Sequence, residues 1–414
     1  MDESQGAGAK GPGRMAKLLP LAAIYLTAAG MRPVITSLAA VLDQVRVDFD
    51  APVVLSLLVS SPMPIFAMAG FLTPLVVRRL GTVGAILAAI VVCTVGLALR
   101  PWGSLAQLVA CTVLALCATA LINVLLPALT ASYFPDRIGS TTGAYTGVMT
   151  VSTTIAAAAT APLALWLQNW NLALTIWVVF PVLAALLWLP LLRRAKSEPE
   201  TESPSPSQAK QRPTKTGFTA LLVVLFATQA ALAFTIMGWF PTMMLSRGLS
   251  ADVAGYVFAL LLVVGLPVGL IAPTLFGRGH RIGVLATLSC ATIAGCAVLL
   301  VPNLGLAGAV IAALLLGTGT AIFPVVLAII GDLGRLTGQG VALSGRVQSL
   351  GYATATAVPL LAGLATGSDW SFMYIALIAV ACVQFVAGAR LVAGIVRLKS
   401  RVRDDAKAAL AARQ

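Results

Sequence analysis

The chain has 414 residues, 59% of them hydrophobic and only 10% charged, with a mean hydropathy of +0.96. Soluble domains carry about 25% charged residues, so this composition excludes an ordinary globular protein. A formal charge of +13 would point to nucleic acid if it formed a patch. Here the basic residues are spread along the chain at the ends of apolar blocks, and no nucleic-acid partner is expected.

In chain order, a polar stretch (1–17) comes first. The apolar run after it is too long for a signal-peptide core, so no cleaved leader is expected. Apolar blocks of roughly 18 to 25 residues then recur, the length a helix needs to cross about 30 Å of hydrocarbon. Hydropathy places spans 1 to 6 near 18–41, 53–76, 83–99, 105–128, 141–164 and 172–192. It places spans 7 to 12 near 217–243, 253–276, 282–301, 304–330, 340–364 and 371–395. Between the two sets lies "AKSEPETESPSPSQAKQRPTKT" (195–216), which reads as a disordered linker. The expected division is a tail 1–17, a six-helix half 18–192, a linker 193–216, a second half 217–395 and a basic tail 396–414.

Lys and Arg set the orientation. With both termini and the linker on one side, that side holds 21 basic residues, while the opposite loops hold Arg46, Arg100 and Arg247. The positive-inside rule therefore puts both ends in the cytoplasm. Trp102, Trp166, Trp170 and Trp370 then fall near the outer interface, as an aromatic belt. The six cysteines lie in spans without metal-type spacing and read as small buried hydrophobes. His280, in a short basic turn, reads as a topogenic charge. No cofactor or metal is implied.

The halves resemble each other. "GFLTP" (70–74) in span 2 matches "GLIAP" (269–273) in span 8 at an offset of 199. Pro127 matches Pro324, and Pro162 matches Pro359, each at 197. Ordered matches in the same three spans of each half indicate parallel repeats related by an axis along the membrane normal. The expected fold is thus an all-α membrane protein of twelve transmembrane helices in two pseudo-symmetric six-helix halves, the major facilitator arrangement, with a site near the midplane between them.

Four stretches carry a more specific likeness: "GMRPVITSLAAVL" in span 1, "NVLLPALTASYFPDRIGSTTGAYTGVMT" across spans 4 and 5, "GWFPTMM" in span 7 and "ALSGRVQSLGY" in span 11. With them the chain resembles the cyanate and nitroimidazole permease family of that superfamily. The resemblance implies a monomeric permease in the lipid bilayer for a small polar or anionic solute. It departs at the loop after span 2, where Pro74 stands in place of the superfamily's Asp, and at Arg346, where an uncharged residue is expected.

Arg32 is the central candidate. Tyr25, Ala29, Arg32 and Thr36 fall within about 40° on a helical wheel. Arg32 sits about 4 Å from the middle of span 1 at 1.5 Å per residue. Insertion scales put a central Arg at about +2.5 to +3.5 kcal/mol, so it needs a cavity or a partner. All fourteen Asp and Glu lie in loops, tails or span ends. An unpaired guanidinium facing water would be a forked anion site; the structural alternative is that Arg32 bonds carbonyls released by Pro33. Further binding candidates are Asn123, Tyr145, Gln229, Trp239, Gln348 and Tyr352, the last two one turn apart. Gating candidates are Arg78, Arg79, Asp136, Arg137 and Arg346. The expected function is alternating-access transport of a small anionic or strongly dipolar solute, without ATP hydrolysis because no nucleotide motif is present. An exporter of a neutral aromatic drug would share the fold and use Trp239, Phe240 and Tyr145. A receptor is disfavoured because no extramembrane domain is visible.

Overall fold

A computed structural model describes residues 14–51, 54–55, 58, 61–197, 216–302, 305–358 and 370–411. The polar tail before Arg14 and the middle of the linker lie outside the described residues. Everything described is helix or short connection.

Span 1 is two helices, Arg14–Met31 and Pro33–Ala40, meeting at Arg32. Arg32 keeps helical dihedrals (φ −82°, ψ −34°). The break is therefore a hydrogen bond that Pro33, lacking an N–H, fails to make rather than a change of direction. Spans 2 and 3 run through one stretch, Pro62–Leu99, which turns at Gly81 with φ 69°, a conformation side-chain-bearing residues rarely adopt. Span 4 is Leu105–Tyr133, capped by Ser104, and span 5 is Ile138–Leu167. Span 6 enters through Trp170–Thr175 and a 3₁₀ turn before Val179–Ser197. In the second half spans 7, 8 and 9 are Thr216–Leu245, Ala251–Gly277 and Arg281–Leu300. Span 10 is broken at Ala321 into Gly305–Thr320 and Ile322–Thr337, three residues before Pro324. Span 11 begins as Gly340–Ala355. Span 12 is one helix, Ser371–Ala411, running 16 residues past its expected end at 395.

Let the inner end be the end of the bundle where odd-numbered spans start. One core cluster draws on both halves there, including Leu125, Leu126 and Tyr145 with Phe226, Val325, Leu343 and Tyr352. At the other end each half has its own core: Leu38, Val41, Leu108 and Leu174 in the first, Phe240, Met244, Leu299 and Trp370 in the second. Among the described residues the halves thus share a core at the inner end and have separate cores at the outer one.

The junction is built on the repeated GxxxP. Each proline removes the N–H that would have bonded the glycine carbonyl four residues earlier. The carbonyl oxygen of Gly70 faces Gly345 of span 11, where an added Cβ would lie 2.5 Å from it. In the pseudo-symmetric position the carbonyl of Gly269 faces Gly143 of span 5, with the Leu270 carbonyl 2.7 Å from a Cβ placed there. Both contacts need glycine because backbone meets backbone. Ser349 completes the first of them against Gly70, and Gly139 and Gly147 extend the second along span 8.

Three sequence expectations change. Only Cys93 and Cys296 are buried, while Cys117, Cys290 and Cys382 are exposed, since small apolar side chains are equally at ease against lipid. Trp370 is buried against Trp239 rather than part of a belt (ring centroids 5.8 Å apart). Arg100 is not an exposed loop charge: it is fully buried at the end of span 3.

Candidate functional site

The break in span 1 releases the carbonyl of Ala29, four residues before Pro33. Ser152 of span 5 donates to it at 2.7 Å. The structural role weighed for Arg32 is therefore taken by a serine. The Arg32 backbone carbonyl accepts the Thr36 hydroxyl at 3.1 Å, so Thr36 serves the backbone of its own stripe. The Arg32 guanidinium is half-buried, and among the described residues its side chain has no hydrogen bond or ion pair. It does lie close enough to Tyr352 of the other half for the two to interact electrostatically.

Tyr352 belongs to a polar cluster that crosses between the halves. Asn123 Nδ2 donates to Gln348 Oε1 at 2.7 Å and to the Tyr352 hydroxyl at 3.3 Å. Gln348 Nε2 donates back to the Asn123 carbonyl at 3.2 Å and to Ser344 Oγ at 2.9 Å, and Ser344 Oγ donates to the Val124 carbonyl at 2.8 Å. Both amide hydrogens of Asn123 and of Gln348 are used, as deep burial requires. Proline explains the pattern again: Asn123 is four residues before Pro127, and its carbonyl has no helical partner. Aromatic rings surround Tyr352, with Phe226, Phe66 and Phe234 centred 4.9, 5.6 and 6.2 Å away.

The other predicted residues lie elsewhere. Gln229 Nε2 reaches the carbonyl of Thr320, released by Pro324, at 3.4 Å, and Gln229 Oε1 accepts from Gln384 at 2.8 Å. Its partners are thus within its own half. Tyr145 is buried, Tyr25 packs half-buried against the shared core, and Trp239 sits with Trp370. Arg346 is exposed and bonds along its own helix, to the Ala342 carbonyl at 3.2 Å and to Gln339 Oε1 at 2.8 Å. Arg78 and Arg79 are exposed beside the Gly81 turn. Asp136 and Arg137 line an inner-end crevice of about 550 Å³ with Arg278, Arg281, Asp332 and Arg335. Sequence reasoning missed Ser152, Ser344 and Arg100. For the two serines a signal existed: each faces a carbonyl whose loss of partner is predictable from a proline four residues on, or lies one turn from a residue that serves one.

Comparison with known proteins agrees with this architecture. Residues 18–356 match the family model described as Major Facilitator Superfamily. The chain belongs to this superfamily. It is therefore a multi-pass membrane transporter and not an enzyme. It is 30% identical over 353 residues to the 2-nitroimidazole transporter of Escherichia coli K12, covering 84% of this chain and 88% of that protein. It is 28% identical over 375 residues to the uncharacterized transporter YycB of Bacillus subtilis 168, covering 88% and 91%. Among solved structures, the superfamily transporter FucP in the outward conformation superposes with a TM-score of 0.71 at 11% identity, over 91% of this chain and 99% of that one. The proton:xylose symporter XylE bound to 6-bromo-6-deoxy-D-glucose superposes at 0.70 with 14% identity, over 90% and 94%. These two likenesses concern the fold alone.

Proposed function

We propose that this transporter moves a small anionic or strongly dipolar solute by alternating access, with the Arg32 guanidinium as its binding group. The observation that carries the reading is a half-buried Arg32, within electrostatic range of Tyr352 of the opposite half, with no side-chain hydrogen bond or ion pair of its own among the described residues. A forked, planar donor of that kind suits a carboxylate-like or nitro-like group. Phe234, half-buried with its ring 6.2 Å from that of Tyr352, offers an aromatic face suited to a flat solute, and the nitroimidazole relative is in keeping with that. The rival drug-exporter reading rests on Trp239, Phe240 and Tyr145, yet Trp239 meets Trp370, Phe240 meets Phe258, and Tyr145 is buried.

In the expected orientation the shared core closes the cytoplasmic side, and the Asn123–Gln348 clasp parts when the halves rock. One chain in a bacterial inner membrane, with both ends cytoplasmic, suffices for this cycle. The test uses purified protein and two probes, 2-nitroimidazole and cyanate, in thermal-shift binding and proteoliposome flux. Arg32→Ala is expected to abolish binding of the responding probe while leaving the melting temperature equal or higher, because a costly partly buried charge is gone. Arg32→Lys keeps charge without the fork and is expected to bind substantially more weakly than the parent. Parental affinity in Arg32→Ala would sink the reading.

A further inference from the structure

Arg100 is a second arginine with no carboxylate partner among the described residues, and unlike Arg32 it has no exposure at all. Its place in the chain accounts for part of this. It follows the last residue of the Pro62–Leu99 helix, its backbone N–H closes on the Gly96 carbonyl at 3.1 Å, and Pro101 prevents the helix from continuing. A cation there meets the negative end of the helix dipole. The rest lies in span 1. Arg100 Nη1 donates to the Val34 carbonyl and Nη2 to Ser37 Oγ, each at 2.7 Å. Ser37 Oγ in turn donates to the Pro33 carbonyl. The guanidinium thus grips residues 33, 34 and 37, the first turn of the outer piece of span 1, immediately after the break at Arg32.

A helix that has lost a backbone hydrogen bond at one point is soft there, and the side chain at that point goes where the two pieces leave it. Ser152 secures the inner piece through Ala29, and Arg100 secures the outer piece through Val34 and Ser37. Ser37 is five residues past Arg32, about 140° round the helix at 100° per residue. The clamp therefore acts on the face turned away from Arg32 and leaves that side chain unobstructed. Leaving a guanidinium fully buried with its Nε unpartnered is costly, and an apolar residue would have filled this buried span end without that cost.

We propose that Arg100 is a positioning residue for Arg32: it fixes the outer piece of the broken first span so that the Arg32 fork is held at one place between the halves. The proposal rests on Arg32 being the binding group, and the experiment separates the two. Binding of 2-nitroimidazole and melting temperature are measured for Arg32→Ala, Arg100→Gln, Arg100→Lys and Ser37→Ala. In parallel, a nitroxide attached after Ala39→Cys in a cysteine-free background reports the mobility of the outer piece without any ligand; Ala39 is exposed. Supporting residues around metal ligands are worth about 10–100-fold in affinity, and Arg100→Gln is expected to weaken binding by about tenfold or more on that scale and to mobilise the label. Arg100→Lys, able to reach only one of the two acceptors at a time, is expected to fall between, and Arg100→Gln added to Arg32→Ala is expected to change affinity no further. Ser37→Ala removes one acceptor and gives the same signs more weakly, so the test survives failure of Arg100→Gln to fold. Folded Arg100 and Ser37 variants with an immobile label and parental affinity would overturn the proposal. Parental binding in Arg32→Ala together with a mobile label in Arg100→Gln would instead remove the role of Arg32 and leave the clamp standing.

Discussion

The side-chain amide of Gln348 donates to the backbone carbonyl of Asn123 at 3.2 Å, across the boundary between the two halves. That carbonyl needs an outside donor because Pro127, four residues on, has no N–H to offer it. The same relation holds between Ser152 and Ala29 before Pro33, and between Gln229 and Thr320 before Pro324. Three polar residues deep in the spans, Gln348, Ser152 and Gln229, thus mend proline breaks. Arg32 stands out because no such duty falls to it.

The Gln348–Asn123 relation predicts a dependence on Pro127. Gln348→Met keeps volume but removes both donors, leaving a buried carbonyl unpaired at a cost of about 1–3 kcal/mol. In a Pro127→Ala background the residue at 127 regains an N–H for Asn123, and the same substitution is expected to cost about 1 kcal/mol less. Unfolding in detergent measures both. Equal costs in the two backgrounds would show that the released carbonyl is not what Gln348 serves.

Close backbone contact at the two GxxxP crossings predicts intolerance of one methyl group. Gly345→Ala and Gly143→Ala each place a Cβ within 3 Å of a carbonyl oxygen that cannot retreat. Each is expected to lose about 1–3 kcal/mol of stability by overpacking, with slower solute flux. Gly283→Ala is the control. Nothing lies within 4 Å of an added Cβ there, and the change is expected to be neutral or to gain about 0.5–1 kcal/mol by helix propensity. The contact argument fails if Gly345→Ala is as stable as Gly283→Ala.

A third prediction concerns the linker. The helices of spans 6 and 7 end at Ser197 and resume at Thr216, and the contacts joining the halves come from spans 2, 4, 5, 8, 10 and 11. Residues 1–205 and 206–414 expressed as separate chains are therefore expected to associate in the membrane and restore flux. Normal membrane levels of both fragments with no flux and no co-purification would contradict this.

Much of this architecture is legible in the sequence because lipid is an undiscriminating solvent. Block length and hydropathy report the spans, and the repeated GxxxP reports the halves. Arg32 is legible for the same reason: one charge in an apolar run is conspicuous. What the sequence hides is which side of a helix meets protein. Arg100 reads as a loop charge because it stands beside Pro101 at a span end, and only packing against Val34 and Ser37 buries it. Gln229 and Gln348 look alike as lone amides in apolar spans. One serves its own half and the other crosses to the opposite half, a difference set by partners about 90 and 225 residues away. Cys117 and Cys93 likewise differ only in the direction they face.

The paired crossings at Gly70–Gly345 and Gly143–Gly269 have a mechanical consequence. Two bodies whose closest approaches are two separated backbone crossings turn most easily about the line through those crossings. At the crossings themselves backbone meets backbone and the carbonyls of Gly70 and Gly269 are tied to no helical turn, so what a rotation would have to part is the Asn123–Gln348–Tyr352 hydrogen bonding and the side chains of the shared core. The easiest large-scale motion of this molecule is therefore expected to be a turn about that line, which a cross-link away from the line arrests and a cross-link on it does not.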